Sequence, residues 1–540
     1  MTAETAQTVT ETATAAATKV PATTRARVAA LRPALYPLAF PIAFLVNIWA
    51  GTNADPNGIG RSLLIATAVA LGLSFLAGLI AGRTRGGLAA SAILAGLLAP
   101  ASTVAGPALI VVGLLVLVEG AIHRGRPIRR GPLIDRVMVG LATILLVAVG
   151  IKLVSDHALA RGIADLQLDW QARPPAGSTL ADDAVADAAE DEPDIVMIML
   201  DGYPGDAAAR LAAESGSPYD PDEFPDALTS LGFNVQRNSH SNYLITPMTL
   251  ASVFDMRHLV DIPELMNAGD DAAGGRGFRR LADTGEAFDI LHDRGYELVW
   301  VDAGFSHIEI RRVDRWVDPG MPTELEVRLL ATTFAGKSLT GLAPDLLSSL
   351  HRSRVLTTIA DAPRLIAEPH DQPRFLFVHV PAPHAPWVFG PDGEPRTEDL
   401  GSFYMDPVGV RSIDRPEAIR RVFDQASYVA GQTMDSVEDL LERPDPPVVI
   451  IFSDHGPGTE IDFNEPAKTD LVERSSNFFA AYTPGQPDLF DDFTTPVNIF
   501  PKLFDGYFGL DVPKQPDTIY AWSGPEINLF PVTVPGTNSR

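Results

Sequence analysis

The chain has no cysteine among its 540 residues. Disulfides, Cys-ligated zinc and thiol catalysis are thereby excluded. Acidic residues are scarce in one region: residues 1–155 hold 5 Asp and Glu against 13 Lys and Arg, leaving 63 against 29 for the remainder. The two parts carry net charges of +8 and −34, and so face different surroundings. An acidic larger part argues against a polyanion groove, and no nucleic-acid partner is expected. No compact basic region with a cleavable apolar core begins at Met1, so a signal peptide is not expected, and no internal repeat is visible. What the chain has in quantity is apolar residues, 46% of the total, high for a soluble protein.

Those residues are concentrated near the start. Residues 1–32 read as a cytoplasmic tail, its Thr/Ala tract to residue 24 too poor in apolar periodicity to fold. Apolar stretches follow at roughly 34–50, 62–82, 87–100, 105–122 and 135–154. About 20 apolar residues cross a bilayer as a helix, so the second and fifth are comfortable, the first and fourth slightly short, and the third marginal. With the amino terminus inside, Lys19, Arg25, Arg27, Arg32, Arg83, Arg85, Arg124, Arg126, Arg129, Arg130 and Arg136 all fall on the cytoplasmic side. About five spans over 33–155 are therefore expected, although 87–122 could instead form one re-entrant hairpin. An odd count places everything after Lys152 outside. Residues 156–193 read as a juxtamembrane linker, whose part from His157 to Pro175 would also suit a helix lying on the membrane surface.

From 194 to 513 apolar strands alternate with helical patterns, the signature of an α/β doubly wound, mostly parallel sheet; residues 514–540 are left as a C-terminal tail. Two strands stand out. Pro446-Pro447-Val448-Val449-Ile450-Ile451-Phe452 leads into Ser453-Asp454-His455-Gly456, and Asp194-Ile195-Val196-Met197-Ile198-Met199-Leu200 leads into Asp201-Gly202. Runs this apolar belong to strands buried on both faces, and open sheets place ligands at their carboxyl ends. Asp201, Asp454 and His455 thus make an oxygen/oxygen/nitrogen set suited to Zn or Mn, with Mg or Ca as alternatives. The plainer reading is that turns favour Asp and Gly. A third element is Thr246-Pro247 ahead of a helical apolar pattern, which puts Thr246 at the N-cap and Pro247 at the first helical position. A hydroxyl there faces free backbone N–H groups and the positive helix end, where an anion is favoured, or it simply caps the helix.

Together these pieces resemble the sulfatase-like branch of the alkaline phosphatase superfamily, and most of all its membrane-anchored phosphoethanolamine and phosphoglycerol transferases, including lipoteichoic acid synthases. The resemblance implies that Thr246 is the nucleophile and a ligand of one divalent metal held by Asp201, Asp454 and His455, with the small residues Thr249 and Ser252 three and six positions on. It implies that His384, in Val380-Pro381-Ala382-Pro383-His384-Ala385-Pro386-Trp387, is the substrate or leaving-group histidine. His379 is a second candidate for that role, or a core histidine. Three departures bear on the reaction. With no cysteine, Thr at the nucleophile and Leu250 where an Arg would fall, a formylglycine sulfatase is not expected. Asp201-Gly202 resembles the phosphodiesterases of the superfamily, whose transferases usually carry Glu there. Asp435 is followed four residues on by Asp439 instead of His, which favours a single metal.

The expectation is therefore a multi-pass cell-membrane enzyme with an extracytoplasmic catalytic domain. It would move a phospho-head-group from a membrane lipid donor to an envelope glycan or lipid acceptor through phosphothreonine. A phosphate or sulfate ester hydrolase on the same fold, and a non-catalytic membrane scaffold, are the alternatives.

Overall fold

The computed structural model describes residues 33, 35–50, 59–124, 126–167, 192–262, 276–305, 308, 310–398, 400, 413–462, 468–490, 493–523 and 528–534. The expected tail at 1–32 and most of the linker at 156–193 lie outside these residues. Two compact units are present, one formed by residues 1–48, 59–155 and 333–335, the other by the rest.

The first unit is helical: α1 (Ala39–Ala50) up to residue 48, α2 (Gly60–Ala81), α3 (Arg83–Leu98), α4 (Ala105–Ile122) and α5 (Gly131–Gln167) up to residue 155. Among the described residues three helices are long and apolar enough to cross a membrane, namely α2, α4 and the Gly131–Leu153 part of α5. These coincide with the second, fourth and fifth expected stretches. The first and third form shorter helices; 16 residues in α3 reach about 24 Å, less than a hydrocarbon core of about 30 Å. Small residues let α3 pack closely. A Cβ on Gly113 of α4 would fall 2.6 Å from Ile93, and one on Gly96 would fall 2.7 Å from the Gly106 carbonyl oxygen. Such close approach is how helices associate where lipid offers no hydrophobic drive. Large apolar side chains point outward instead, with Leu64 74% and Phe75 67% exposed.

The second unit is built on a seven-stranded sheet. Its strands are β1 (Ile195–Leu200), β2 (Asn234–Val235), β3 (Glu297–Val301), β4 (Arg315–Val317), β5 (Arg374–Val380), β6 (Val448–Phe452) and β7 (Phe479–Tyr482). The order is β2-β7-β6-β1-β5-β3-β4. From β6 to β4 every neighbour is parallel, whereas β7 runs antiparallel to β6 and β2 antiparallel to β7. The sheet is thus mixed, with the parallel part dominant. β1, β5 and β6 occupy its centre and are buried at every position, which is why β1 and β6 read as unbroken apolar runs, while β5 buries Arg374 and His379 as well.

Four helices matter for the site: α6 (Thr246–Asp255), α7 (Leu346–Ile366), α8 (Arg415–Leu441) and α9 (Leu471–Ser475). Helix α6 packs beside Arg276–Asp283, Glu286–Asp293 and Ile499–Phe508, while α7 lies on β5 and against α8. Phe254 of α6 stacks on Phe288 at 4.5 Å and meets Phe377 of β5 edge-on at 5.4 Å, which seats the helix on the sheet. The expected C-terminal tail needs correction. Ile519–Ser523 and Asn528–Val532 form an antiparallel ribbon, and Ile519, Ala521 and Trp522 are buried in the same core as the sheet. Its apolar alternation is too short to announce a strand pair without the surface it covers.

Candidate metal centre

The parallel register decides which side chains can meet. Met199 of β1 stands level with His379 of β5 and Phe452 of β6, so the residues following each strand emerge at one edge. Asp201, Asp454 and His455 are all buried there and offer ligand atoms within 4.8 Å of one another. Backbone groups hold the turns: Gly202 N donates to Asp454 Oδ1 at 3.1 Å, and Ser453 Oγ donates to Tyr203 O at 2.8 Å. Gly202 has φ 71°, a left-handed turn conformation that a β-carbon would strain.

Thr246 joins this cluster, though not as a cap. Ile245, extended at φ −141° and ψ 141°, takes the N-cap position, and Thr246 and Pro247 lie in the first turn. No side chain caps the helix. Thr246 Oγ1 instead lies 3.2 Å from His455 Nε2, so the hydroxyl faces the carboxylates. Thr249 and Ser252 act as ties: Thr249 Oγ1 donates to Asp454 O at 3.0 Å, and Ser252 Oγ donates to Arg257 O at 2.7 Å.

Proton positions follow from the partners. His455 Nδ1 lies 3.0 Å from Gly456 O, which can only accept, so Nδ1 carries the proton and Nε2 presents a lone pair. Burial, then the charge of Arg474, lowers the His455 pKa and keeps the ring neutral, the form a metal requires. That lone pair lies 2.9 Å from Asp454 Oδ2, yet Asp454 Oδ2 has no hydrogen-bond partner. Asp201 Oδ1 is likewise buried without one. Burial alone would raise the Asp201 pKa, but His384 and the hydrogen bond from His379 outweigh it and hold the carboxyl below its usual range. Two unpartnered carboxylate oxygens, an imidazole lone pair and a hydroxyl converging in a buried space are a set that a divalent cation fits.

The two histidine candidates separate. His379 is fully buried, with Nε2 3.1 Å from Asp201 Oδ2, so it orients that carboxylate from behind. His379 thus sits where its alternative reading, a hydrogen-bonded core histidine, would place it. His384 is half-buried, and its backbone N donates to Asp201 O at 2.8 Å, which holds it beside the cluster. Its Nδ1 lies 2.8 Å from Ala385 O, which fixes the ring. Asp435, weighed for a second metal, is exposed on α8 and belongs to no such group of three among the described residues.

One residue had no signal in the sequence. Arg474 of α9 is buried; its Nε donates to Leu244 O at 2.7 Å, its Nη1 to Gly456 O at 3.1 Å, and its Nη2 to His455 Nε2 at 2.8 Å. Burial lowers its pKa to about 10, where it remains charged at neutral pH. Nothing around Glu473-Arg474-Ser475 distinguishes it locally, since its partners lie 18 to 230 residues away.

Fold and site together define an α/β protein with a buried Asp/Asp/His group that could hold a cation beside a helix-opening hydroxyl, on a chain that also carries apolar helices of membrane-spanning length. Residues 338–506 match the Sulfatase family model, and the chain carries a sulfatase-family domain, as the resemblance to that branch implied. The match contains His384, Asp454, His455 and Arg474, with Asp201 and Thr246 ahead of it. No curated protein matches the chain. Among solved structures, the C-terminal periplasmic domain of EptC from Escherichia coli, in complex with Zn, is similar at 12% identity and a TM-score of 0.40, over 63% of this chain and 92% of that one. The integral membrane lipooligosaccharide phosphoethanolamine transferase A from Neisseria meningitidis is similar at 14% identity and a TM-score of 0.36, over 84% and 88%. A 2-O GAG sulfatase is similar at 13% identity and 0.37, over 62% and 78%. None of these scores reaches the level at which a shared reaction follows.

Proposed function

We propose that this chain is a multi-pass membrane enzyme whose extracytoplasmic domain, from about Asp194, transfers a phospho-head-group of the phosphoethanolamine or phosphoglycerol type. The donor is a membrane lipid and the acceptor an envelope glycan or lipid. One observation carries the reading: the Thr246 hydroxyl stands 3.2 Å from the inward nitrogen of His455, within a buried cluster in which one oxygen of each carboxylate lacks a hydrogen-bond partner. Asp201, Asp454, His455 and Thr246 would hold one divalent ion, Zn or Mn, which when bound would supply Lewis acidity to lower the hydroxyl pKa and offset charge on phosphoryl oxygens.

The remaining steps belong to the chain itself. Thr246 Oγ1 forms a bond to phosphorus as the bond to the lipid alcohol breaks. His384 gives a proton to that alcohol, then takes one from the acceptor hydroxyl as it attacks phosphothreonine and releases Thr246. His379 keeps Asp201 oriented, and the amino end of α6 favours the anionic group. The apolar helices and the arginines at 83, 85, 124, 126, 129, 130 and 136 support a membrane anchor with those residues on the cytoplasmic side. The sulfatase-family match supports a second reading, in which water resolves the intermediate and the enzyme is an ester hydrolase.

Purified full-length chain in lipid nanodiscs, given a labelled phospholipid and Zn, should yield diacylglycerol and a phosphorylated peptide containing Thr246 after acid quench. Release into an acceptor-linked product marks the transferase, and free phosphate or sulfate marks the hydrolase. Equal, metal-independent turnover by wild type and Thr246→Ala would overturn the assignment.

A further inference from the structure

His455 Nε2 has a single lone pair, and two groups claim it. Arg474 Nη2 donates to it at 2.8 Å, while Asp454 Oδ2 at 2.9 Å and Thr246 Oγ1 at 3.2 Å surround it as further ligands of one cation. A guanidinium N–H and a metal ion cannot both take that pair of electrons. Resting on the metal-site reading above, we infer that Arg474 is an internal counter-cation that competes with metal for the His455 nitrogen, and that in the metal-loaded site its Nη2 donates, from the same anchored position, to an anionic oxygen of the group being transferred.

The surroundings of Arg474 favour such a two-position arrangement. Its Nε and Nη1 are anchored on the carbonyls of Leu244 and Gly456, so the guanidinium plane is held while Nη2 remains the end that can exchange partners. Leu244 immediately precedes Ile245 and Thr246, so this anchor ties the arginine to the loop that delivers the hydroxyl. Position 474 is followed by Ser475, whose carbonyl accepts from Ser241 N at 2.9 Å, which pins α9 to the same loop. Once Nη2 loses the imidazole, a buried charged donor is left to find an acceptor. The carboxylate oxygens of Asp201 and Asp454 are then taken by the metal, so a phosphoryl oxygen entering beside Thr246 is the acceptor that remains. A planar fork suits that oxygen geometry better than a point charge. Arg474 is a substrate-binding residue in this scheme, one that exchanges a protein partner for a substrate partner.

Arg474→Gln tests both halves in the full-length protein. Zn affinity, read by competition with a chromophoric chelator, should rise about tenfold because no guanidinium has to leave the ligand nitrogen. Affinity of the Zn-loaded protein for inorganic phosphate, read by calorimetry, should fall about tenfold or more through loss of a charge-assisted contact. In turnover the variant should show a raised KM with a smaller change in kcat. Should Arg474→Gln fail to fold, Arg474→Lys serves, since one ammonium cannot hold Leu244 O, Gly456 O and the imidazole together; the same two shifts, smaller in size, are expected. Unchanged or weaker Zn binding, or unchanged phosphate binding, in a folded variant overturns the inference. Asp454→Asn separates it from the metal-site reading: Zn binding equal to wild type in that variant sinks the site itself, whereas lost Zn binding beside an inert Arg474→Gln sinks only the role of Arg474.

Discussion

Gly456→Ala is a one-carbon change whose consequence can be worked from the backbone around the site. A Cβ at position 456 would lie 2.1 Å from the carbonyl oxygen of Glu473 and 2.4 Å from that of Ser476. Ordinary contact needs about 3.3 Å, so one backbone must retreat by roughly 1 Å, and neither obstacle is the end of a flexible side chain. Overpacking of this kind costs about 3 kcal/mol, a fall in Tm of roughly 5 °C or more for a domain of this size. The shift also acts on chemistry. Gly456 O fixes the His455 ring through Nδ1 and anchors Arg474 Nη1, so its movement turns the ligand nitrogen away from Asp454. A misplacement of about 1 Å costs on the order of 100-fold in rate. Thermal melting with and without Zn, and chelator competition, should show a less stable protein that binds Zn more weakly and gains less stability from it. Wild-type melting and wild-type Zn affinity in Gly456→Ala would refute the placement of the Asp454-His455 turn against α9.

Other outcomes follow from the same geometry. His384→Gln should slow transfer from an alkyl phosphodiester by 10² to 10⁴ on the order expected for a lost general acid, and spare a nitrophenyl ester, whose leaving group needs no proton; equal losses on both would remove His384 from that role. Glu286, away from the site, has its pKa raised to about 7 by burial and then by Asp255. A carboxyl raised in the folded state holds its proton more tightly there, so its contribution is present below the ordinary value of 4.5 and is lost as pH rises through about 7. Glu286→Gln should therefore gain stability relative to wild type between pH 5 and 8, and parallel pH profiles in denaturant titrations would count against the burial of that carboxyl.

Strands β1 and β6 were legible because each is a central parallel strand, covered on both faces and apolar throughout, a pattern that survives without knowledge of its neighbours. Asp201, Asp454 and His455 could be named for the same reason, since the carboxyl ends of such strands share one edge. The short strands β2 and β4 carry no comparable run, and their half-buried residues gain strand geometry only by pairing with β7 and β3. Thr246 was visible as the opening of a helix, but whether its hydroxyl caps that helix depends on which way it turns, and that is settled by His455, 209 residues later.

By itself, then, the amino-acid order determined where the chain is apolar, where it is charged and which residue types end its buried strands. Those are local properties, written within a few positions. Only the tertiary structure decided that Arg474 donates to the His455 nitrogen, that His379 lies against Asp201, and that residues 519–523 join the core of the sheet. Each of these depends on contacts between segments distant in the chain, and no local periodicity encodes which distant group a side chain will meet.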